Sequence, residues 1–507
     1  MDLKPHLNLA GQNMLDCLNP EANYLPYWHL VVDADGRAEY SFRRHCTGHN
    51  IGRWWNAMLR LEASTGFVVP SAVEQAMLEN SWRLADNPIG IFLEDIDPTD
   101  AATWYIHSYR ETMLAYGLLV RYRDHQKAKA YGHRAITQMA RASRNLDHWD
   151  FSYGQDAPGL IKTPGRPVYT HGRAIEGLLC FYDATGAGPA LEEAERLAAY
   201  HMDHTVNDDG SLATGCGDHT HSYLNTLRGL LLLATLQNRQ TWLDALYATY
   251  KNALCSMITR SGFITHDIGA RFSGDIASTG DIAHLALLLW DQFEDPALLD
   301  DIERLIRARL VPAQVLTPVP ITPLKNTPSD AYRDLPQRYV GAIGGNVGHV
   351  QGKTCVTDWT AAALHNLIEL WQRSVDEHEG QVRINFHLDY DHSAAQIRSV
   401  REGRAAHVTV QSKRPDKALL IRVPGWVPTD SLHIMVNGQR AAPEVKKGFI
   451  TFAAMGTPLD VGLRYALPAY ADTETWQDQS ATGEEITFQW RGDEISGADP
   501  GGPYMAT

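Results

Sequence analysis

Six times along the chain a short polar segment containing His or Asp runs directly into a long apolar stretch, recurring about every 50 to 80 residues. The six are His49-Asn50-Ile51-Gly52-Arg53-Trp54, His107-Ser108-Tyr109-Arg110, His171-Gly172-Arg173-Ala174, His219-Thr220-His221-Ser222-Tyr223, Gly280-Asp281-Ile282-Ala283-His284 and Thr357-Asp358-Trp359-Thr360. Stretches such as Leu230-Leu231-Leu232-Leu233 are apolar nearly all round, which predicts buried helices. The segments between them, residues 190–201 for example, are amphipathic and predict surface helices. Six of each close into a double-layered α-barrel.

Near residue 380 the period changes from helical to alternating. Val382-Arg383-Ile384-Asn385-Phe386, Ala406-His407-Val408-Thr409-Val410 and Leu419-Leu420-Ile421-Arg422-Val423 read as strands. Pro424-Gly425-Trp426 breaks the third, Leu432-His433-Ile434-Met435-Val436 resumes, and Asn437-Gly438 marks a hairpin turn before Phe449-Ile450-Thr451-Phe452. Short strands at this spacing predict a β-sandwich. The fold class is therefore an all-α (α/α)6 barrel over residues 36–380 followed by an all-β sandwich over 381–507. Residues 1–35 are expected to form a strap or a first strand, and the Pro-rich segment 313–338 a long loop covering the barrel mouth.

Composition narrows the partners. A chain of 507 residues with 44% hydrophobic content buries a substantial core. Its net charge of −15 argues against nucleic acid, which needs clustered Lys and Arg. The apolar runs fall short of the ~18 residues that span a bilayer, so no membrane partner is expected. Met1-Asp2-Leu3-Lys4-Pro5-His6 lacks a signal-peptide core, which points to the cytoplasm, and a homodimer is among the assemblies open to the chain. The six cysteines lie far apart without a Cys-x-x-Cys pair, so no disulfide framework is expected. Cys180 and Cys255 read as core thiols, while Cys46 and Cys355, beside barrel openings, keep a functional prior.

Candidate chemistry gathers where the inner helices begin, because their unpaired N–H groups and positive dipole ends make that mouth the natural ligand site. Asp267, Asp275 and Asp281 fall within one short stretch there. Glycosidic cleavage needs one carboxyl group to protonate the leaving oxygen and another to attack or to activate water, so these three are the expected catalytic set. Helix capping by Asp275 or Asp281 is the competing explanation. His49, His107, His171, His219 and His221 open four of the helices, where imidazoles bind sugar hydroxyls or move protons. A single His at such a position is more often a cap or a satisfied buried group. Asp218 is expected to orient an imidazole or bind a hydroxyl, and Trp54, Trp55, Trp104 and Trp359 to stack on a sugar ring if they are not core. Arg53, Arg110 and Arg173 would favour a substrate carboxylate if two of them face inward. Gly344-Gly345-Asn346-Val347-Gly348-His349 lacks the Lys-Ser/Thr ending of a phosphate loop and reads as a turn.

These blocks, in this order, resemble the β-L-arabinofuranosidase-like family, glycoside hydrolase family 127 and its relatives. The resemblance rests on Tyr169-Thr170-His171-Gly172-Arg173-Ala174-Ile175-Glu176-Gly177-Leu178, on His221-Ser222-Tyr223-Leu224-Asn225, and on Ile421-Arg422-Val423-Pro424-Gly425-Trp426 with Val436-Asn437-Gly438. It implies a barrel with β-sandwich domains, sugar contacts at His171 and His221, an active-site Tyr339, and Asp267 near the acid/base position; Asp358 is expected at the mouth because it opens the sixth inner helix. It also implies a zinc held by a glutamate-x-cysteine segment and a cysteine pair, which here fall on Asp275-Ile276-Ala277 and Thr354-Cys355. An Ala and a Thr stand where thiolates are needed, so neither a metal nor another cofactor is expected. The expected function is a glycoside hydrolase acting on a small oligosaccharide through Asp acid/base chemistry. The alternatives are a uronate-acting lyase or unsaturated-uronyl hydrolase, a sugar epimerase, and a carbohydrate-binding protein with a dead site.

Overall fold

The computed structural model describes residues 1–26, 29–32, 38–41, 47–87, 89–93, 107–147, 171–269, 274–318, 334–344, 357–476 and 484–501. Cys46, Trp104, Cys355, residues 345–349 of the Gly-rich loop and most of the segment 313–338 lie outside them.

Twelve long helices build the barrel. The inner six are α2 (Thr47–Thr65), α4 (His107–Arg123), α6 (Ala174–Thr185), α8 (Thr220–Leu236), α11 (Ile276–Phe293) and α14 (Thr357–Gln372). Each packs on the next, and α14 packs back on α2, so the ring is closed. The outer helices are α1 (Lys4–Asp16), α3 (Ser71–Ala85), α5 (Gln126–Ala142), α7 (Gly188–Thr205), α9 (Gln240–Thr249) and α12 (Pro296–Leu305). Two short turns of helix, α10 (Cys255–Met257) and α13 (Leu335–Arg338), complete the set.

The two layers read differently in sequence for a physical reason. On α5 only one stripe is buried, Ala128, Gly132, Ala135, Ile136, Met139 and Ala142, as expected of a helix with water on one side. On α8 nearly every residue from Thr220 to Leu231 is buried, because neighbours and the barrel axis surround it. Gly186, at φ 70°, ends α6 in the left-handed conformation, and a Pro in the first turn opens α7.

The N-terminal segment corrects an expectation. Instead of a strap or first strand, residues 4–16 form α1, which packs on α14 and α2 and so fills the sixth outer position. Its buried face, Leu7, Ala10, Gly11, Asn13 and Met14, is helical in spacing, and Pro5 in its first turn suits a helix start.

Close approach lets the inner ring close. A Cβ added at Gly52 of α2 would lie 2.5 Å from the Cβ of Glu111 on α4, and one at Gly280 of α11 2.6 Å from the Asn366 amide on α14. Small residues at these crossings bring polar side chains of adjacent helices within reach of one another.

The β region starts at Val375, ahead of Gln381. A five-stranded sheet runs in the order Val445–Lys446, Phe449–Phe452, Ala418–Arg422, Gln381–Ile384, Val375–His378. It faces a six-stranded sheet ordered Gln439–Ala441, His433–Val436, Asp460–Ala466, Ala405–Ser412, Ala395–Glu402, Tyr390–Asp391. Val382, Ile421 and Ile450 from one meet Ile397, Val408, Val461 and Leu463 from the other in a single core, which makes the pair a sandwich. Asn437 and Gly438 turn the hairpin with φ 48° and 79°, the paired positive values a two-residue turn requires. A third sheet, Ala469–Trp476, Glu484–Arg491 and Glu494–Asp499, rests Ile486, Phe488 and Trp490 on Phe263 and Ala308 of the barrel.

Barrel and sandwich are joined by buried charge. Glu303 of α12 accepts from Arg307 at 2.9 Å, from the His387 backbone at 3.3 Å, and from Arg422 of the sandwich. No helix among the described residues is long and apolar enough to cross a membrane.

Substituting Gly52→Ala should lower unfolding stability by about 1–3 kcal/mol, because the inserted methyl has no room between α2 and α4. Urea denaturation followed by circular dichroism reads this; an unchanged midpoint would mean the helices separate more easily than the crossing implies.

Candidate active site

First-turn residues of the inner helices meet at one end of the barrel. His49 of α2 bonds Asp358 of α14 at 3.2 Å, and Arg53, one turn further along α2, ion-pairs with the same carboxylate and contacts His221 of α8. Arg173, just ahead of α6, donates to Ser222 of α8 at 3.3 Å and to Glu111 of α4 at 3.2 Å. Such cross-links are reachable only if all the helices begin at the same mouth. Above them, His219 caps α8 by accepting from the Ser222 backbone at 3.1 Å, and its ring faces His266 at 3.1 Å. His266 in turn bonds Asp267 at 2.8 Å. The segments are held by an antiparallel bridge between His219 and Asp267.

Below the mouth the axis is filled with paired charge. Arg110 reaches Glu111 at 2.6 Å and Glu176 at 2.7 Å, and Arg228 joins Glu176 to Asp281, the latter at 2.8 Å. Asn225 and Asn366 each donate to Asp281 at 3.1 Å, and His221 sits 2.5 Å from it. Further down, Arg60 pairs with Glu369. Five guanidiniums (Arg53, Arg60, Arg110, Arg173, Arg228) thus face five carboxylates (Glu111, Glu176, Asp281, Asp358, Glu369). Burial alone would raise Glu111 and Glu176, but the surrounding arginines, Arg110 foremost, hold both below the usual carboxylate range. Burial, and after it the Arg53 charge, pushes His49 and His221 well below the ordinary imidazole value; burial and Arg228 bring His284 down to about 4. The web is therefore charge-matched with neutral imidazoles threaded through it.

The expected catalytic carboxyls separate into three environments. Asp281 is 1% exposed and bonded to His221, Asn225, Arg228 and Asn366, which places it inside the web below the mouth. Asp275 caps α11, accepting from Ala277 at 2.9 Å and from the Ser278 hydroxyl at 2.9 Å, the role given by the competing explanation. Asp267 differs from both, with 28% of its side chain exposed at the mouth beside His266.

Among the expected binding residues, His49, Arg53, His219, His221 and Asp358 come together, and Asp218 lies exposed beside them. Four others lie elsewhere. His171 turns outward, bonding the Leu146 carbonyl at 3.2 Å and His201 of α7 at 2.9 Å. Trp54 donates to the Met14 carbonyl of α1 at 3.3 Å and is core, and Trp55 faces Ser81 of α3. Tyr339 is fully buried next to Arg338, whose carbonyl is bonded by Asn13 of α1 at 2.6 Å. Trp359 is half-buried against the barrel core. The side chain of His107 lies outside the described residues.

Of the residues that the resemblance matches to a zinc site, Asp275 and Ala277 are described, while Thr354 and Cys355 lie outside the described residues. Both Asp275 oxygens serve the first turn of α11, and among the described residues no group of three His, Cys, Asp or Glu side chains is arranged to hold a metal. Glu111, Arg228, Asn366 and His365 were not foreseen. The signal for them was present as polar positions at i, i+4 and i+7 on otherwise apolar helices, such as His221, Asn225, Arg228 and His49, Arg53, Asn56.

No protein-family model matches the sequence, and no curated protein matches it. Among solved structures the chain is similar to a GH127 beta-L-arabinofuranosidase from Geobacillus stearothermophilus T6, at 12% identity and a TM-score of 0.56, covering 91% of this chain and 78% of that one. It is also similar to a protein described as a glycoside hydrolase, at 11% identity and a TM-score of 0.54, covering 89% and 77%. At these identities the shared property is the fold, an (α/α)6 barrel followed by β-sheet domains.

Removing one member of the web should expose its weight. Asp281→Asn removes one of the two carboxylates that Arg228 pairs with and should cost about 3–5 kcal/mol in denaturant titration, whereas Asp275→Asn, which still caps α11, should be near neutral. A near-neutral Asp281→Asn would contradict the structural role.

Stability should also depend on pH through the buried imidazoles. Burial lowers His171 to about 3 and His284 to about 4, while unfolded His titrates near 6.5. Between those limits the unfolded chain binds more protons, so stability is full above about pH 6.5 and falls as the pH drops toward 4. Each such group adds a slope of up to about 1.4 kcal/mol per pH unit. Denaturation midpoints that stay level from pH 7.5 to 5 would rule this out.

Proposed function

We propose that this protein is a glycoside hydrolase that cleaves a small glycoside by carboxyl chemistry at the barrel mouth. One observation carries the proposal: Asp267 and Asp358 border the mouth with 28% and 14% of their side chains exposed, while Asp281, Glu111 and Glu176 are buried in the web. Asp267, paired with an imidazole, suits the general acid that protonates the leaving oxygen as the glycosidic bond breaks. Asp358, anchored by His49 and Arg53, suits the second carboxylate, which attacks the anomeric carbon or activates water. His49 and His219, with neutral rings, and Asp218 suit hydrogen bonding to sugar hydroxyls, and Trp359 suits contact with the sugar's apolar face.

The fold shared with a beta-L-arabinofuranosidase makes arabinofuranosides the first substrates to try. A uronate substrate is disfavoured, since Arg53, Arg110 and Arg173 are already engaged by Glu111, Glu176 and Asp358.

The test is sugar release from aryl glycosides and arabino-oligosaccharides. Asp267→Asn and Asp358→Asn should each lower kcat/KM at least ~100-fold; the melting temperature should stay close to that of the unmutated protein in Asp267→Asn and fall in Asp358→Asn, where buried Arg53 loses a carboxylate partner. Unaltered rates in Asp267→Asn would remove it from the mechanism. Tight sugar binding with no turnover by the unmutated protein would instead identify a carbohydrate-binding protein.

A further inference from the structure

We propose that His266 is a positioning residue for Asp267, and that the first turn of α8 locks its ring in a single tautomer. The catalytic consequence rests on the hydrolase reading above; the tautomer itself does not.

A backbone amide is a donor in every protonation state. Ser222 N–H donates to His219 Nδ1 at 3.1 Å, so that nitrogen presents its lone pair; the Ser222 hydroxyl, 2.7 Å from it, must then donate as well, and a neutral His219 carries its proton on Nε2. Burial, and after it His266 and Arg173, hold His219 well below the ordinary imidazole value, which keeps it neutral. Its Nε2–H faces Nε2 of His266 at 3.1 Å, and that nitrogen accepts. The His266 proton therefore sits on Nδ1, where it donates to Asp267 Oδ1 at 2.8 Å. Each link leaves one choice for the next. The backbone fixes the spacing, because Thr220 N–H donates to the His266 carbonyl at 3.0 Å and Ile268 N–H to the Asp218 carbonyl at 2.7 Å. The charged and titratable groups around the pair are Arg53, Arg173, His221, Asp218, Asp275 and Asp358.

With Oδ1 held by His266, Oδ2 is the oxygen left for the reacting proton. In the hydrolytic cycle Asp267 Oδ2–H gives its proton to the glycosidic oxygen, which also keeps the electron pair of the breaking C–O bond. The new carboxylate retains the Nδ1–H bond at Oδ1. Water then supplies hydroxyl to the sugar and returns its second proton to Asp267, so atoms and charge balance. His266 acts only through Asp267, by aiming it and by stabilising its ionised form.

The direct test is NMR of the full chain with 15N-labelled histidine at pH 7.5. His219 should show the Nε2–H tautomer and His266 the Nδ1–H tautomer; His266 protonated on Nε2 overturns the proposal. A tightly held metal ion, lost in His219→Ala, would overturn it too, because the two rings would then face a cation rather than share a proton.

The kinetic test compares two variants. Asn carries an N–H donor where His has Nδ1, so His266→Asn keeps the bond to Asp267 and His266→Ala removes it. His266→Ala should lower kcat at least ~10-fold with little change in KM, because the substrate still binds while the acid is no longer aimed. His266→Asn should restore most of the rate. Equal effects of the two variants, or none, overturn the proposal. The His266 side chain is 38% exposed, so both variants are expected to fold, and their melting temperatures check this. If Asp267→Asn turns over normally while the tautomers are as stated, the general-acid role of Asp267 fails and its positioning by His266 survives.

Discussion

Six helices around a common axis enclose a column of space that something must fill, and in this protein the filling is ionic. The five guanidiniums and five carboxylates along the axis match in number, and the imidazoles between them are held neutral by burial. Matching is the constraint on which the rest depends, since one uncompensated charge in such a place costs several kcal/mol. It requires helices close enough for Arg228 of α8 to touch both α6 and α11, and glycines at the crossings make that approach available. It also requires one common direction for the inner helices, since Arg53 reaches Asp358 and His221 only if α2, α14 and α8 start together. Closure of the ring and pairing of the charges are thus the same event.

The same web decides which polar groups meet solvent. Because the axis below the mouth is occupied by paired charge, Asp267, His266 and Asp358 reach water at the rim. Side chains of one type therefore serve opposite purposes a few residues apart. Asp281 is buried among the partners that hold the helices together, whereas Asp267 keeps access to solvent.

Much of this was readable in the chain. The switch from all-round apolar helices to amphipathic ones gave the two layers, and the change to alternation near residue 380 gave the sandwich, because each pattern reports directly which faces meet water. The six polar openings located the mouth. What periodicity could not do was sort Asp267, Asp275 and Asp281, which lie within fifteen residues but in a loop, at a cap and inside a helix. Nor could it show that His171 turns toward α7, since a one-residue rotation about a helix start decides between axis and outer layer. The N-terminal helix escaped because its polar residues, among them Asn13 reaching the Arg338 carbonyl, are buried against another part of the chain, which blurs the amphipathic signal.

That first helix has a consequence for how the protein comes into being. Helix α1 completes the outer layer by lying on α14, more than three hundred residues later in the chain, as well as on α2. During synthesis the ring stands open along that seam until α14 has emerged, and α1 meanwhile carries an apolar face with only half of its eventual partners. Long-range closure of this kind slows folding and exposes unsatisfied surface while it lasts. The α1–α14 seam is thus the last door of the barrel to shut, and the place where a growing chain is most open to chaperones or to exchange of α1 between neighbouring copies.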